Sequence, residues 1–349
     1  LTGWVTADGD QVVNEENDID TSNTFYCDET GARVESSWVY TTEPATADDD
    51  ADADEYWYYL KSSGKVATGR QTNIKGQAFI LGNKADNLGQ MLTGWVGGDL
   101  NSDNKYVYEE IGEENSTTKL SDVDVAYYCL YDEDKADGHV QENKWVKTWR
   151  PEDAYDEDED DDKYWYWLEK DGKAYIPDSD DMKATGYAYD LGDGALEVDG
   201  SQFSFAKKKI NSKDYFFNAD GEMLSDFVNV VHTEDANVID LGMYYFGGSD
   251  DGSMKTGSQT IKDDNGDSFK FYFGTKDNNT TGEAKGKGVT GNKNNKLYYM
   301  GHLVAAEDYK YQPVWYDMDN NGEDDTLFIV NQNGSIQHSA LEYKEDGDI

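Results

Sequence analysis

The chain contains no run of about 18 apolar residues, the length a membrane-spanning helix needs, and its first residues lack the basic-then-apolar order of an export signal. Insertion into a membrane is therefore not expected. Proline is scarce, four residues against 34 glycines, which speaks against a Pro-rich linker and for many tight turns with positive φ. Aliphatic residues are also thin on the ground. Only 37% of the 349 residues are hydrophobic, and 26 Tyr, 12 Phe and 9 Trp carry much of that share, so large flat rings supply the apolar surface. Cations are few as well: 30 basic residues face 73 acidic ones, a formal charge of -43. Such a field repels phosphate backbones and anionic headgroups, making nucleic acid and bare membrane poor partners, and it attracts divalent cations, calcium first among them. The four histidines are scattered, with no HExxH, no Cys-His metal spacing and no G-x-S-x-G turn. A carboxylate pair for glycoside hydrolysis would need a fixed cleft that small repeats do not offer. The chain is not expected to be an enzyme.

What is present is a repeated phrase. Aromatic residues fill two or three positions, a few polar residues and a Gly come after them, and Thr-Gly often comes next. The clearest copies are Trp57-Tyr58-Tyr59-Leu60 with Gly64 and Thr68-Gly69, and Trp165-Tyr166-Trp167-Leu168 with Gly172 and Thr185-Gly186. Looser copies are Phe216-Phe217 with Gly221, Tyr244-Tyr245-Phe246 with Gly252, Tyr298-Tyr299 with Gly301, and Phe328 with Gly334. A short aromatic run trailed by Asp-Gly, Ser-Gly or Asn-Gly reads as a strand and a turn. A lone hairpin is marginal, so units of this kind must stack on their neighbours. The expected fold is all-β, an elongated β-solenoid of stacked aromatic-rich β-hairpin repeats.

A longer duplication overlies the first part. Tyr26-Cys27, Trp38-Val39, an acidic run and Tyr56 to Tyr59 match Tyr128-Cys129, Trp145-Val146, an acidic run and Tyr164 to Trp167. It divides the chain into three blocks: 1–98, 99–228 as a partial duplication, and 229–349 as C-terminal repeats. Leu1 to Val5 recurs as Leu92 to Val96, so the first residue falls inside a repeat and the chain reads as a portion of something longer. Cys27 and Cys129 stand where the sister units have Leu60 and Leu168, the place of a buried small hydrophobe. Whether they could pair instead depends on a separation that sequence does not give.

The phrase resembles the cell-wall-binding or glucan-binding repeats of Gram-positive surface proteins, a family that includes choline-binding repeats and toxin repeat domains. The resemblance covers most of the chain and is strongest at 55–96 and 164–186. It implies a β-hairpin solenoid that binds polysaccharide, choline on teichoic acid, or host glycans. Choline cages in this family commonly combine a Gly-Trp with the Trp-Tyr-Tyr of adjacent repeats. Here Gly-Trp occurs only as Gly3-Trp4 and Gly94-Trp95, and the places after Gly69, Gly186 and Gly257 hold Arg70, Tyr187 and Ser258, so a regular ladder of cages is broken.

Candidate ligand-binding rings are Trp4, Trp38, Trp57, Tyr59, Trp95, Trp145, Trp165 and Trp167, which could stack on pyranose faces or serve simply as core. A candidate metal loop lies at 317–325, where Asp317, Asp319, Asn321, Glu323 and Asp325 alternate oxygen donors around a Gly turn that would suit calcium. Its flanks read as strands, so it is either the calcium loop of a hairpin or an Asn-Gly turn dressed with solvated acids. The acidic runs 48–55 and 153–162 read as solvated loops. The functional reading is a non-catalytic extracellular cell-wall or carbohydrate-binding module of a secreted bacterial surface protein. The alternative is a structural surface protein, whether spacer, adhesin or self-associating fibre subunit, stiffened by calcium.

Overall fold

The structure is a computed structural model and describes residues 1–9, 23–43, 53–112, 117–130, 137–152, 163–276, 284–317 and 322–338. Among them the fold is all-β: every ladder is antiparallel, and the one helical element is the 3-10 turn Leu120–Asp122. The chain divides into two units, Leu1–Ile176 and Pro177–Ile349, with the boundary inside the second of the three sequence blocks.

Among the described residues one turn recurs five times and sets the repeat. Aromatic strands enter it through Cys27, Leu60, Leu168, Phe217 and Val330, and the glycine four residues on adopts a φ between 70° and 83°. Its N–H donates to the carbonyl three residues back: Gly31 to Asp28 (2.9 Å), Gly64 to Lys61 (2.8 Å), Gly172 to Glu169 (3.0 Å), Gly221 to Asn218 (3.2 Å) and Gly334 to Asn331 (2.9 Å). A residue with a Cβ disfavours that backbone region, which is why glycine holds the place. Where the turn opens with Asp28, Asn218 or Asn331, the side-chain oxygen also accepts the N–H groups two and four residues ahead.

After the turn the chain makes one bridge back to its own strand, as in Leu60 with Val66 and Leu168 with Ala174, and then leaves for the next repeat. The residue just past the glycine bridges to the preceding repeat: Lys65 to Phe25, Lys173 to Tyr127, and Ser335 to Lys296. The residue two past it performs the stacking. In the first unit the side chains of Arg33, Val66, Met91 and Val140 lie over Gly64, Gly89, Gly138 and Gly172 in turn, so closely that an added Cβ would fall within 3 Å of them. In the second unit Met223, Met254 and Leu303 cover Gly252, Gly286 and Gly334 in the same way. A glycine-on-side-chain ladder thus runs through each unit and couples neighbouring repeats, so that stability is shared along the stack.

The aromatic strands find their full ladder with the strand before them rather than with the segment after the glycine. Ser37–Thr42 pairs with Glu55–Leu60, Lys144–Thr148 with Tyr164–Leu168, and Tyr311–Tyr316 with Thr326–Asn331. In sequence, the acidic runs and the 317–325 segment fall between the two strands of these three pairs, and 48–52, 153–162 and 318–321 lie outside the described residues. The second unit also builds two five-stranded sheets, one holding the 16-residue strand Ala195–Ile210. Phe205, Phe216, Phe246, Phe271 and Phe273 are completely buried here, with Phe205 stacked on Phe216 at 4.7 Å. Rings supply these cores where aliphatics are few. Both cysteines are free thiols in the strand positions shared with Leu60 and Leu168. Cys129 is fully buried and Cys27 partly so.

Candidate ligand-binding faces

The eight candidate rings fall into two groups. Trp4 and Trp95 sit in a duplicated triad. Trp4 meets Tyr26 and Tyr58 edge-to-face with centroids 5.1 and 5.0 Å away, and Trp95 meets Tyr128 and Tyr166 at 5.2 and 4.9 Å. Each indole N–H donates to a carbonyl, that of Thr42 (3.0 Å) or of Trp149 (2.8 Å), and each Trp is only 6% exposed. The rings touch one another instead of enclosing a space. Burial and the nearby Glu43 carboxylate push the Tyr58 phenol up, so it stays neutral at any physiological pH.

The other six lie on one face of the duplicated hairpins. Because side chains alternate along a strand, Trp38 and Tyr40 share a face with their cross-strand partners Tyr59 and Trp57. That face is opposite Tyr58 and Leu60, which point into the core. The second hairpin repeats it: Trp145 opposes Trp167 and Lys147 opposes Trp165. The inner pair of each ladder packs tightly, Trp38 with Tyr59 at 5.1 Å and Trp145 with Trp167 at 5.4 Å, and Trp38 also meets Phe79 at 4.9 Å. Trp167 is buried, whereas Trp38, Tyr59 and Trp145 are half-buried. The outer pair is more open. Tyr40, 49% exposed, lies 5.0 Å from Trp57, and Trp165 is half-buried beside the exposed Lys147.

A third hairpin carries the same face, and its rings are not among the sequence candidates. Counting back from Leu60 and Val330, Trp315 and Leu327 take the places of Tyr40 and Trp57. Trp315 is 55% exposed and Leu327 46%. Pro313 and Ile329 replace the inner Trp-Tyr pair. The signal available in sequence was position, two residues ahead of the acidic loop that begins at Asp317, and the absence of an aromatic run around Leu327 hid it. Tyr40 was hidden in a similar way, as a lone ring among the threonines that end its strand.

Several ring faces are already covered by the chain's own cations. Arg150 lies over Tyr164 at 3.9 Å, Lys163 over Trp149 at 4.2 Å and Arg33 over Phe25 at 5.4 Å. Arg70, in the place where a Gly-Trp would put its indole, lies over Tyr127 at 5.5 Å and donates to the Asp171 carbonyl at 2.6 Å.

Of the metal-loop residues, Asp319 and Asn321 lie outside the described residues. Asp317 caps the loop, its carboxylate accepting the Gly322 N–H at 2.7 Å while its own N–H donates to Asp324 at 3.0 Å. Glu323 and Asp325 come next as exposed residues before the strand Thr326–Asn331. The flanks are strands, as expected of a hairpin loop.

No family model and no curated protein matches the chain. Among solved structures it is similar to CbpJ from Streptococcus pneumoniae TIGR4, with 15% identity and a TM-score of 0.30 over 97% of this chain and 86% of that one. Choline binding protein F from Streptococcus pneumoniae gives 14% identity and a TM-score of 0.28 over the same shares. The modular autolysin LytC from Streptococcus pneumoniae, solved with a synthetic peptidoglycan ligand, gives 14% and 0.18 over 75% of this chain and 50% of that one. In its repeated phrase, glycine turns and stacked hairpins, the chain is an all-β hairpin-repeat protein.

Proposed function

We propose that this chain is a non-catalytic module that holds a cell-wall polymer or other polysaccharide outside the cell, as part of a secreted bacterial surface protein. The observation that carries the reading is the repeated outer position of the three hairpins. Tyr40, Trp165 and Trp315 belong to pairs whose other side chains, Trp57, Lys147 and Leu327, lie directly across the ladder. Tyr40 and Trp315, each about half exposed and flanked by a flat or apolar group, suit the apolar face of a pyranose, while Trp165, half-buried, has the Lys147 ammonium beside it to bond sugar hydroxyls. Several weak contacts on one polymer gain by effective concentration.

Free choline suits the site less well, because the Trp4 and Trp95 triads are closed and Arg70 supplies its own cation. Calcium at 317–325 would stiffen the third hairpin and offset part of the -43 charge. Native gels cast with starch, dextran or mucin, run beside a wall-pelleting assay, test the reading. Selective retardation or pelleting of a monomer is the expected result. Large particles without retardation would favour a self-associating structural protein instead.

A further inference from the structure

The 16-residue strand Ala195–Ile210 is paired on both sides along part of its length only. Residues 206–210 pair with Lys213–Phe217. Residues 195–199 pair with Ala184–Gly192 on one side, and among the described residues no strand lies along the other. A register shift between Gly186 and Ala188, with Gly200 at a φ of 78°, ends this straight stretch. An edge of this kind turns a row of backbone N–H and C=O groups to solvent.

The two faces of the stretch differ. Leu196 and Val198 lie directly across from Leu191 and Tyr189. Leu191 is buried, and Leu196 and Tyr189 pack on the core around Phe227, Ile261 and Phe271, whereas Val198 is 53% exposed. The apolar layer thus runs out at the open edge. On the opposite face Glu197 lies directly across from Asp190, and Asp199 stands two residues further on. Burial, and then the carboxylates of Asp199 and Asp264, push the Asp190 carboxyl above its ordinary value. Among the described residues no cation stands within ion-pair distance of Asp190, Glu197 or Asp199.

Like charges facing each other across a ladder oppose pairing. These carboxylates therefore guard the edge against another copy of this chain, whose formal charge is also -43 and whose own edge is equally acidic. They offer no such barrier to a cationic strand. Because side chains alternate along a strand, a segment added here would set apolar residues over Val198 and basic ones against Asp190, Glu197 and Asp199.

We propose that residues 195–199 are a docking edge for an extended segment of another protein, one in which apolar and basic residues alternate and which joins the sheet as one more strand. The edge shares no residue with the aromatic faces.

A fluorescently labelled peptide of alternating lysine and valine tests this on the full chain, with anisotropy giving the affinity and hydrogen exchange giving the place. Saturable binding with a submillimolar Kd is expected, with exchange slowed at 195–199. Methylating every backbone nitrogen of the probe keeps its charge and side chains but removes its donors, and is expected to weaken binding at least tenfold. Glu197→Lys combined with Asp199→Lys is expected to lose the lysine–valine probe and to bind one of alternating glutamate and valine instead. No saturable binding, equal affinity of the methylated probe, exchange slowed only elsewhere, or wild-type affinity in the double variant would overturn the proposal. Exchange at 195–199 that slows with rising concentration of the chain alone would give the edge to a second copy and overturn it too. Retardation by neutral starch or dextran does not depend on these residues, so the two readings fail separately.

Discussion

The Val140 side chain rests on the α-carbon of Gly172, so that a Cβ added there would be forced against its Cγ1. The contact is one rung of the ladder that joins successive repeats, and it explains why this turn needs glycine twice over, for its φ of 83° and for the space beside it.

Gly172→Ala is therefore expected to cost more than backbone strain alone. The left-handed conformation costs about 1–2 kcal/mol, and overpacking a well-filled site about 1–3 kcal/mol more. Gly76 separates the two effects, since it has a φ of 89° with nothing within 4 Å of an added Cβ. Urea denaturation should show Gly172→Ala to be the more destabilised by at least about 1 kcal/mol. Equal losses in the two variants would mean that the ladder carries no packing energy.

The two thiols should react very differently. Cys129 is closed to solvent, and burial pushes its thiol well above the ordinary cysteine value, while Cys27 is partly accessible. A thiol-reactive dye is expected to label about one group per native chain and both after unfolding. Rapid labelling of both in the native state would contradict the burial of Cys129.

His302 gives the second unit a pH dependence. Its ring stacks on Phe271 at 4.7 Å, and burial holds its pKa below the usual 6.5. The unfolded chain then binds a proton more readily than the native one, so stability is lost as pH falls through 6.5 toward the lower native value. Relief of acidic self-repulsion on acidification acts in the opposite direction, but equally in wild type and in His302→Phe. Subtracting the two melting curves between pH 8 and pH 5 isolates the histidine. Wild type should lose stability relative to His302→Phe on acidification, and parallel curves would refute it.

Calcium should raise the melting temperature of the wild type, and Asp317→Asn combined with Asp325→Asn should remove that response. A rise of equal size in both would place the cation among other carboxylates. No rise in either would leave the 317–325 segment as a hairpin loop without metal.

Much of the fold was legible in the residues. Alternating rings marked strands, Asp-Gly and Ser-Gly marked turns, and the duplication correctly put Cys27 and Cys129 in the strand positions of Leu60 and Leu168. The ladder partners were less legible. A glycine turn after Leu60 suggests that the strand folds back on the segment beyond it, whereas Val66 makes one bridge and then packs on Gly89. The full ladder instead crosses an acidic run whose composition carries no turn signal. The candidate rings were found as residue types but not by face. Which of Trp4 and Trp57 is enclosed depends on the neighbouring repeat, and Trp315, half exposed beside Leu327, pairs with a strand whose single ring is Phe328.

The most direct test of polysaccharide binding by the outer hairpin faces is affinity electrophoresis of Tyr40→Ala, Trp165→Ala and Trp315→Ala, singly and together, on the polymer that retards the wild type, with circular dichroism confirming the fold of each. Stepwise weakening is expected, with the triple variant losing at least tenfold in affinity, about 1.4 kcal/mol. A folded triple variant retarded as strongly as the wild type would show that the polymer is held elsewhere and contradict the assignment of these faces.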